Sequence, residues 1–191
     1  MKVAGILILM AFYIVYLGKM FLQKKQGIQT DQMAKNKKKD KVFYIEATLK
    51  TATYVIVPVE VISIFVSKGQ ASQGLVFTGA VIAIIGDVIF AAAVLTMKDS
   101  WRAGIAENDK TEMITSGIYR FSRNPAFLGF DCVYIGILLM FFNWVLLLFT
   151  IFAMVMLHLQ ILQEEKYLPH VFGEAYANYK NKVCRYIGRR N

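Results

Sequence analysis

Cysteine, proline and histidine are scarce in this chain, and charge is thin. Two cysteines in 191 residues, Cys132 inside an apolar block and Cys184 near the C-terminus, exclude a disulfide framework. No second histidine or cysteine stands at metal-ligand spacing from His158, and His170 lies in a different setting, so no metal is expected. Charged residues make up 18% of the chain and hydrophobic ones 57%, whereas a soluble domain carries roughly a quarter charged residues. That balance excludes an ordinary soluble core, and the long apolar blocks point to membrane spans. Acids are also few, 13 against 22 Lys and Arg, for a net charge of +9. Such an excess suits nucleic acid, but no stacking module or recognition helix surrounds the basic residues. Anionic lipid headgroups are the better partner.

Five apolar segments are present, at 3–22, 43–66, 75–97, 125–142 and 144–163. The expected fold is an all-α integral membrane protein with about five transmembrane helices, forming a single domain over residues 1–191. The first segment lacks a small-residue cleavage site and is as long as a full span, so it is expected to be a retained helix and not a signal peptide. The last two segments meet at Asn143–Trp144, which predicts a tight antiparallel helical hairpin. Basic residues number seven in the 23–41 loop, five in the 98–124 loop and six in the tail from Glu164, against only Lys2 and Lys68 on the other side. This asymmetry predicts an N-terminus outside and both loops and the tail in the cytoplasm. The run MAKNKKKDK then needs no role beyond fixing orientation and facing lipid. Gly79, Ala83 and Gly86, with Gly129, Cys132 and Gly136, recur at helical spacing and predict close helix contact.

Glu60, Asp87, Asp131 and His158 fall within predicted spans, where charge is costly and faces a bundle interior or a cavity. Counting outward from the Asn143 turn puts Asp131 and His158 at about one depth, so a hydrogen-bonded Asp131–His158 pair is expected. Both a structural pair and a role in a substrate cavity stay open.

The stretch GIYRFSRNPAFLGF, residues 117–130, sets two arginines, an asparagine and a proline at the start of the fourth apolar segment. Asn124–Pro125 is a good helix start, with asparagine as the cap and proline at the first helical position. The hairpin also returns Glu164–Glu165 to the depth of Arg123–Pro125. A helix N-terminus favours a carboxylate, and paired acids favour an ammonium and hydroxyls. Together they suit a zwitterion.

At these residues the chain resembles the isoprenylcysteine carboxyl methyltransferase family and its phospholipid methyltransferase relatives, small membrane enzymes that use S-adenosylmethionine. The matching residues are Gly117, Tyr119, Arg123-Asn124-Pro125, Phe127, Gly129, Glu164-Glu165, Phe172-Gly173, Tyr176, Tyr179 and Arg185. SWRAGI, residues 100–105, is similar to a segment upstream in bacterial relatives. The resemblance covers residues 99–188, and the first 98 carry no signature. Asn124 stands where the eukaryotic pattern has histidine and Phe127 where it has tyrosine, as expected of bacterial relatives.

The apolar segments place three N-terminal spans in 1–98, and the resemblance implies a cofactor-binding catalytic half over 99–191, in a bacterial or archaeal plasma membrane. It implies a cytoplasmic pocket in which Arg123, Asn124 and Glu165 are catalytic. Tyr119, Arg123, Asn124, Pro125, Phe127, Leu128, Gly129, Glu164, Glu165, Tyr176 and Arg185 would bind S-adenosylmethionine. Trp101, Arg102, Asp131 and His158 would meet a lipophilic, lipid or lipidated acceptor. A carboxylate acceptor needs no base, an amine does, and no clear base is offered. The rival readings are an NADPH-dependent membrane reductase with a related C-terminal pattern and a non-enzymatic membrane scaffold.

Overall fold

The computed structural model describes residues 1–35, 39–67, 71–105 and 111–190. Lys37, Lys38, Lys68 and Lys110 of the charge count lie outside the described residues. Among the described residues five α-helices form, α1 (Lys2–Lys25), α2 (Lys41–Val66), α3 (Gln73–Met97), α4 (Pro125–Met140) and α5 (Trp144–Lys182). Among the described residues there is no sheet, only isolated bridges at Asp31–Ala103 and Val183–Arg189. Four of the helices are long and apolar enough to cross a membrane. α4, at 16 residues, is about 24 Å long, short of the ~30 Å hydrocarbon core. Leu7, Phe77 and Leu148 point outward and are more than half exposed, as a lipid-facing surface requires. The protein is an all-α integral membrane protein.

The small residues act as predicted. A Cβ added to Gly136 would lie 2.5 Å from the Gly79 carbonyl oxygen, and one on Gly86 would lie 2.8 Å from that of Gly129. α3 and α4 therefore approach backbone to backbone. The connection between α4 and α5 is as short as the sequence predicts. Asn143 caps α5 by accepting from Leu146 N at 2.9 Å, and its Nδ2 donates to Ser63 Oγ at 2.9 Å. The two arms nonetheless pack mainly against other helices. α4 follows α3 and α5 follows α2, where Ile56, Leu49 and Ala52 meet Ala153, Met156 and Leu157. α1 completes the bundle through Phe12, whose ring lies 4.4 Å from that of Phe90.

The loops that follow α1 and α3 are knitted together by buried polar side chains. Gln23 is fully buried; its Nε2 donates to the Trp101 carbonyl at 3.1 Å, and its Oε1 accepts from Thr30 Oγ1 at 2.7 Å. Glu46, also fully buried, accepts from Ala34 N at 2.8 Å and Ile105 N at 3.0 Å. The described part of the 23–41 loop thus packs on residues 101–105, which is more than an orienting charge run would require.

Candidate functional site

Two features meet at the N-terminal end of α4, a buried charged cluster and an apolar cavity. The cluster begins with Arg123, whose side chain is 4% exposed. Its Nη2 lies 2.9 Å from Glu165 Oε1, its Nη1 donates to the Tyr176 hydroxyl at 3.4 Å, and its Nε is buried with no partner. Glu165 also receives Arg185 through Nε at 3.1 Å and Nη2 at 2.8 Å. This bond to Glu165 raises the Arg185 pKa above its usual value. The return of α5 to the depth of Arg123 is therefore present as an ion-pair network.

Several local devices hold that network. Gly173, with φ at +52°, interrupts α5 in a conformation that residues with a Cβ rarely adopt. Beyond it Tyr176 is buried, and the Tyr179 hydroxyl donates to the Tyr119 carbonyl at 2.7 Å. These tyrosines are committed to the cluster and do not form a surface belt. Tyr119 is itself buried, which pushes its phenol pKa well up. The C-terminal turn docks alongside, with Arg123 N donating to the Cys184 carbonyl at 3.1 Å and Gly188 N to that of Phe121 at 2.7 Å.

Asn124 corrects one expectation. Its side chain makes no capping bond to α4; Nδ2 instead donates to the Arg185 carbonyl at 3.1 Å. Pro125 occupies the first turn as predicted, so the donors of that turn keep no side-chain cap. Leu128 is half-buried and donates its N–H to the Asn124 carbonyl at 3.1 Å. Gly129 faces α3, where an added Cβ would lie 2.8 Å from Phe90 Cβ. Its role in the structure is helix packing, not contact with the cluster.

The cavity, of about 400 Å³, lies between all five helices, and Trp101, Arg102 and Phe127 line it. Much of its wall comes from the N-terminal half, which the sequence left without a signature: Tyr13, Tyr16 and Met20 on α1, and Leu49, Thr53 and Pro58 on α2. The available signal was the spacing of Tyr13, Tyr16 and Met20, at i, i+3 and i+7, which puts that set along one helical face. Gln160 also lines the cavity and donates from Nε2 to Glu164 Oε1 at 3.1 Å. It stands between the cavity and the Glu164–Glu165 pair, and sequence reasoning passed over it.

Asp131 and His158 do not pair. His158 Nδ1 lies 2.6 Å from the Tyr186 hydroxyl, with the two rings stacked, and Asp131 Oδ1 is buried without a partner. Neither residue is among those lining the cavity. The two were matched by depth, but facing also depends on angle around the helix. His158 lies about 200° from the cavity-lining Gln160 at ~100° per residue. Among the described residues no group of three or more His, Cys, Asp or Glu side chains could hold a metal ion.

Residues 79–170, from Gly79 in α3 to His170 in α5, match the model of the isoprenylcysteine carboxyl methyltransferase family. Over these residues, just under half of its length, the chain is similar to the isoprenylcysteine carboxyl methyltransferase family. Similar proteins include a protein-S-isoprenylcysteine O-methyltransferase of Xenopus laevis, 31% identical over 109 residues, which are 55% of this chain and 38% of that protein. A probable protein-S-isoprenylcysteine O-methyltransferase of Oryza sativa subsp. indica is 34% identical over 110 residues, 56% of this chain and 58% of that one. The Saccharomyces cerevisiae protein-S-isoprenylcysteine O-methyltransferase is 32% identical over 108 residues, 55% of this chain and 45% of its own. The chain thus spans less than two thirds of the length of each of these relatives. The family match begins at residue 79, so the signature reaches further upstream than residue 99 and takes in the glycines of α3. These relatives are named as methyltransferases, and neither a reductase nor a scaffold reading gains support from them.

Proposed function

We propose that this chain is an S-adenosylmethionine-dependent methyltransferase acting at the cytoplasmic face on a lipophilic, membrane-derived acceptor. The observation that carries the reading is the buried Arg123–Glu165–Arg185 network standing next to an apolar cavity in the same bundle. The residues fit the zwitterionic end of the cofactor. Arg123 Nε is buried and unpartnered, the first turn of α4 has no side-chain cap, and two glutamates stand one turn from the cavity. A carboxylate would take the Arg123 guanidinium and the α4 donors, and Glu164 or Glu165 would take an ammonium or ribose hydroxyls. When bound, the cofactor supplies an electrophilic sulfonium methyl.

The chain's own task is positioning and exclusion of water. Phe127 and Trp101 offer aromatic surface to a cation, and the cavity walls hold an apolar chain close to the charged cluster. In this reading α4 is a short span, the fourth of five, the N-terminus lies outside, and the loops and tail lie in the cytoplasm. The test is incubation of the protein in membranes with S-adenosylmethionine labelled in the methyl group, followed by extraction. Label entering a lipid, a lipidated protein or a lipophilic small molecule is expected. Calorimetry accompanies it: Arg123→Ala and Glu164→Gln/Glu165→Gln are expected to weaken cofactor binding at least tenfold, about 1.4 kcal/mol. Lys24→Ala, at the exposed end of α1, leaves it unchanged. Parent-like binding by both site variants moves the pocket elsewhere.

A further inference from the structure

Gln160 sits one turn before Glu164, forms part of the cavity wall and is 1% exposed. Its amide has two different ends, and the structure commits one of them. Nε2 donates to Glu164 Oε1 at 3.1 Å. An ionised carboxylate accepts and does not donate, so the nitrogen is the end that must face Glu164. The oxygen is then turned away from it, and Oε1 is buried with no hydrogen-bond partner. A buried acceptor without a donor is costly, and the cavity is the space from which a donor can come.

Position decides which part of a ligand lies there. Gln160 stands between the cavity and Glu164, so in the methyltransferase reading it is beside the reacting end of the acceptor, while the apolar chain lies along Tyr13, Tyr16 and Phe130. A carboxylate at that end reacts without a base. Its oxygen attacks the cofactor's sulfonium methyl, a C–O bond forms as the S–C bond breaks with its electron pair left on sulfur, and the two opposite charges cancel with no proton released. Arg102, a cation in the same wall, offsets the carboxylate's charge, with Nη1 anchored on the carbonyls of Asp99 and Trp101. Asp31, also in the wall, is paired with Lys50 Nζ at 2.6 Å. A plain carboxylate nevertheless brings only acceptors, and Gln160 Oε1 repels them. A neutral N–H or O–H on the carbon next to the carboxylate removes that conflict, because it donates to Oε1 while the carboxylate points on toward the charged cluster.

We propose that Gln160 is a specificity-determining residue that selects lipophilic carboxylates carrying an amide N–H or a hydroxyl on the adjacent carbon over plain fatty acids. This deepens the methyltransferase reading above and rests on it. The donor keeps its proton throughout and serves only to place the carboxylate.

The test uses the full chain in nanodiscs with Trp144→Phe, leaving Trp101 as the sole tryptophan and placing the reporter in the cavity wall. Two matched pairs of probes are titrated by Trp101 fluorescence: N-dodecanoylglycine against N-dodecanoyl-N-methylglycine, which lacks the N–H, and 2-hydroxytetradecanoic acid against tetradecanoic acid. The parent is expected to bind the donor-bearing member of each pair at least about fivefold more tightly. Gln160→Met should lose both preferences while binding dodecane as the parent does, which shows the cavity intact. Gln160→Arg, which offers donors in place of the acceptor, should bind tetradecanoic acid at least as tightly as its 2-hydroxy form. A preference within one pair only, abolished by Gln160→Met, supports the proposal and names the donor. The proposal is overturned if the parent shows no preference in either pair, or if Gln160→Met keeps the preferences of the parent. S-adenosylmethionine calorimetry and label transfer on the same samples separate the two readings. A Gln160-dependent preference without cofactor binding or label transfer supports the donor-reading site and removes the methyltransferase reading. Cofactor binding with label entering tetradecanoic acid as readily as its 2-hydroxy form in the parent does the reverse.

Discussion

Replacing Glu165 by glutamine isolates what the charged cluster contributes to the fold. Glu165 stands between two arginines in different surroundings: the Arg123 side chain is 4% exposed and that of Arg185 is 34% exposed. Glu165→Gln keeps the shape and one acceptor but removes the charge, so the buried Arg123 guanidinium loses its counter-ion. Breaking a buried pair from one side costs about 3–5 kcal/mol, and the acceptor that remains puts this variant near about 3 kcal/mol. Arg185→Gln removes a partner that water and Arg123 can replace, for about 1 kcal/mol after allowing for solvent screening. The assay is unfolding in mixed micelles with increasing sodium dodecyl sulfate, followed by far-ultraviolet circular dichroism. The expected order is parent, then Arg185→Gln, then Glu165→Gln. A Glu165→Gln variant within about 1 kcal/mol of the parent, or an Arg185→Gln variant equally destabilised, refutes the view that Arg123 is a buried charge held by this one carboxylate.

Three further predictions follow from the packing. Gly136→Val places side-chain atoms where even a Cβ lies 2.5 Å from the Gly79 carbonyl; it should destabilise by at least about 1–3 kcal/mol in the same micelle assay, and parent-like unfolding would mean that α3 and α4 are further apart than described. A double-mutant cycle between His158→Phe and Tyr186→Phe should give coupling of at least about 0.5 kcal/mol, whereas Asp131→Asn with His158→Phe should be additive within about 0.3–0.5 kcal/mol; coupling in the second cycle and none in the first would restore the Asp131–His158 pair. In a cysteine-free background, a membrane-impermeant maleimide added from outside should label Ala71→Cys and miss Arg190→Cys, and the reverse pattern would invert the topology.

Much of the architecture is written along the chain. Apolar blocks too long for a soluble core, and the polar breaks between them, set the helices and their approximate ends. The glycines at 79, 86, 129 and 136 mark where two backbones touch, because no other residue permits that approach. Asn143 marks a cap by its chemistry, and Arg123-Asn124-Pro125 with Glu164-Glu165 mark two ends that a short connection returns to one depth. The tertiary structure alone decided which side chains meet across that depth. His158 turns to Tyr186 and not to Asp131, Asn124 reaches the Arg185 carbonyl and not its own helix, and Gln160 presents one end of its amide to Glu164. It also drew the cavity wall from α1 and α2, far in sequence from the charged cluster. The physical reason lies in the solvent. In water an apolar stripe shows which face of a helix is buried, but in a bilayer lipid and neighbouring helix are equally apolar. A membrane helix that is apolar all round therefore carries its length in its sequence, and acquires its facing only when its neighbours pack against it.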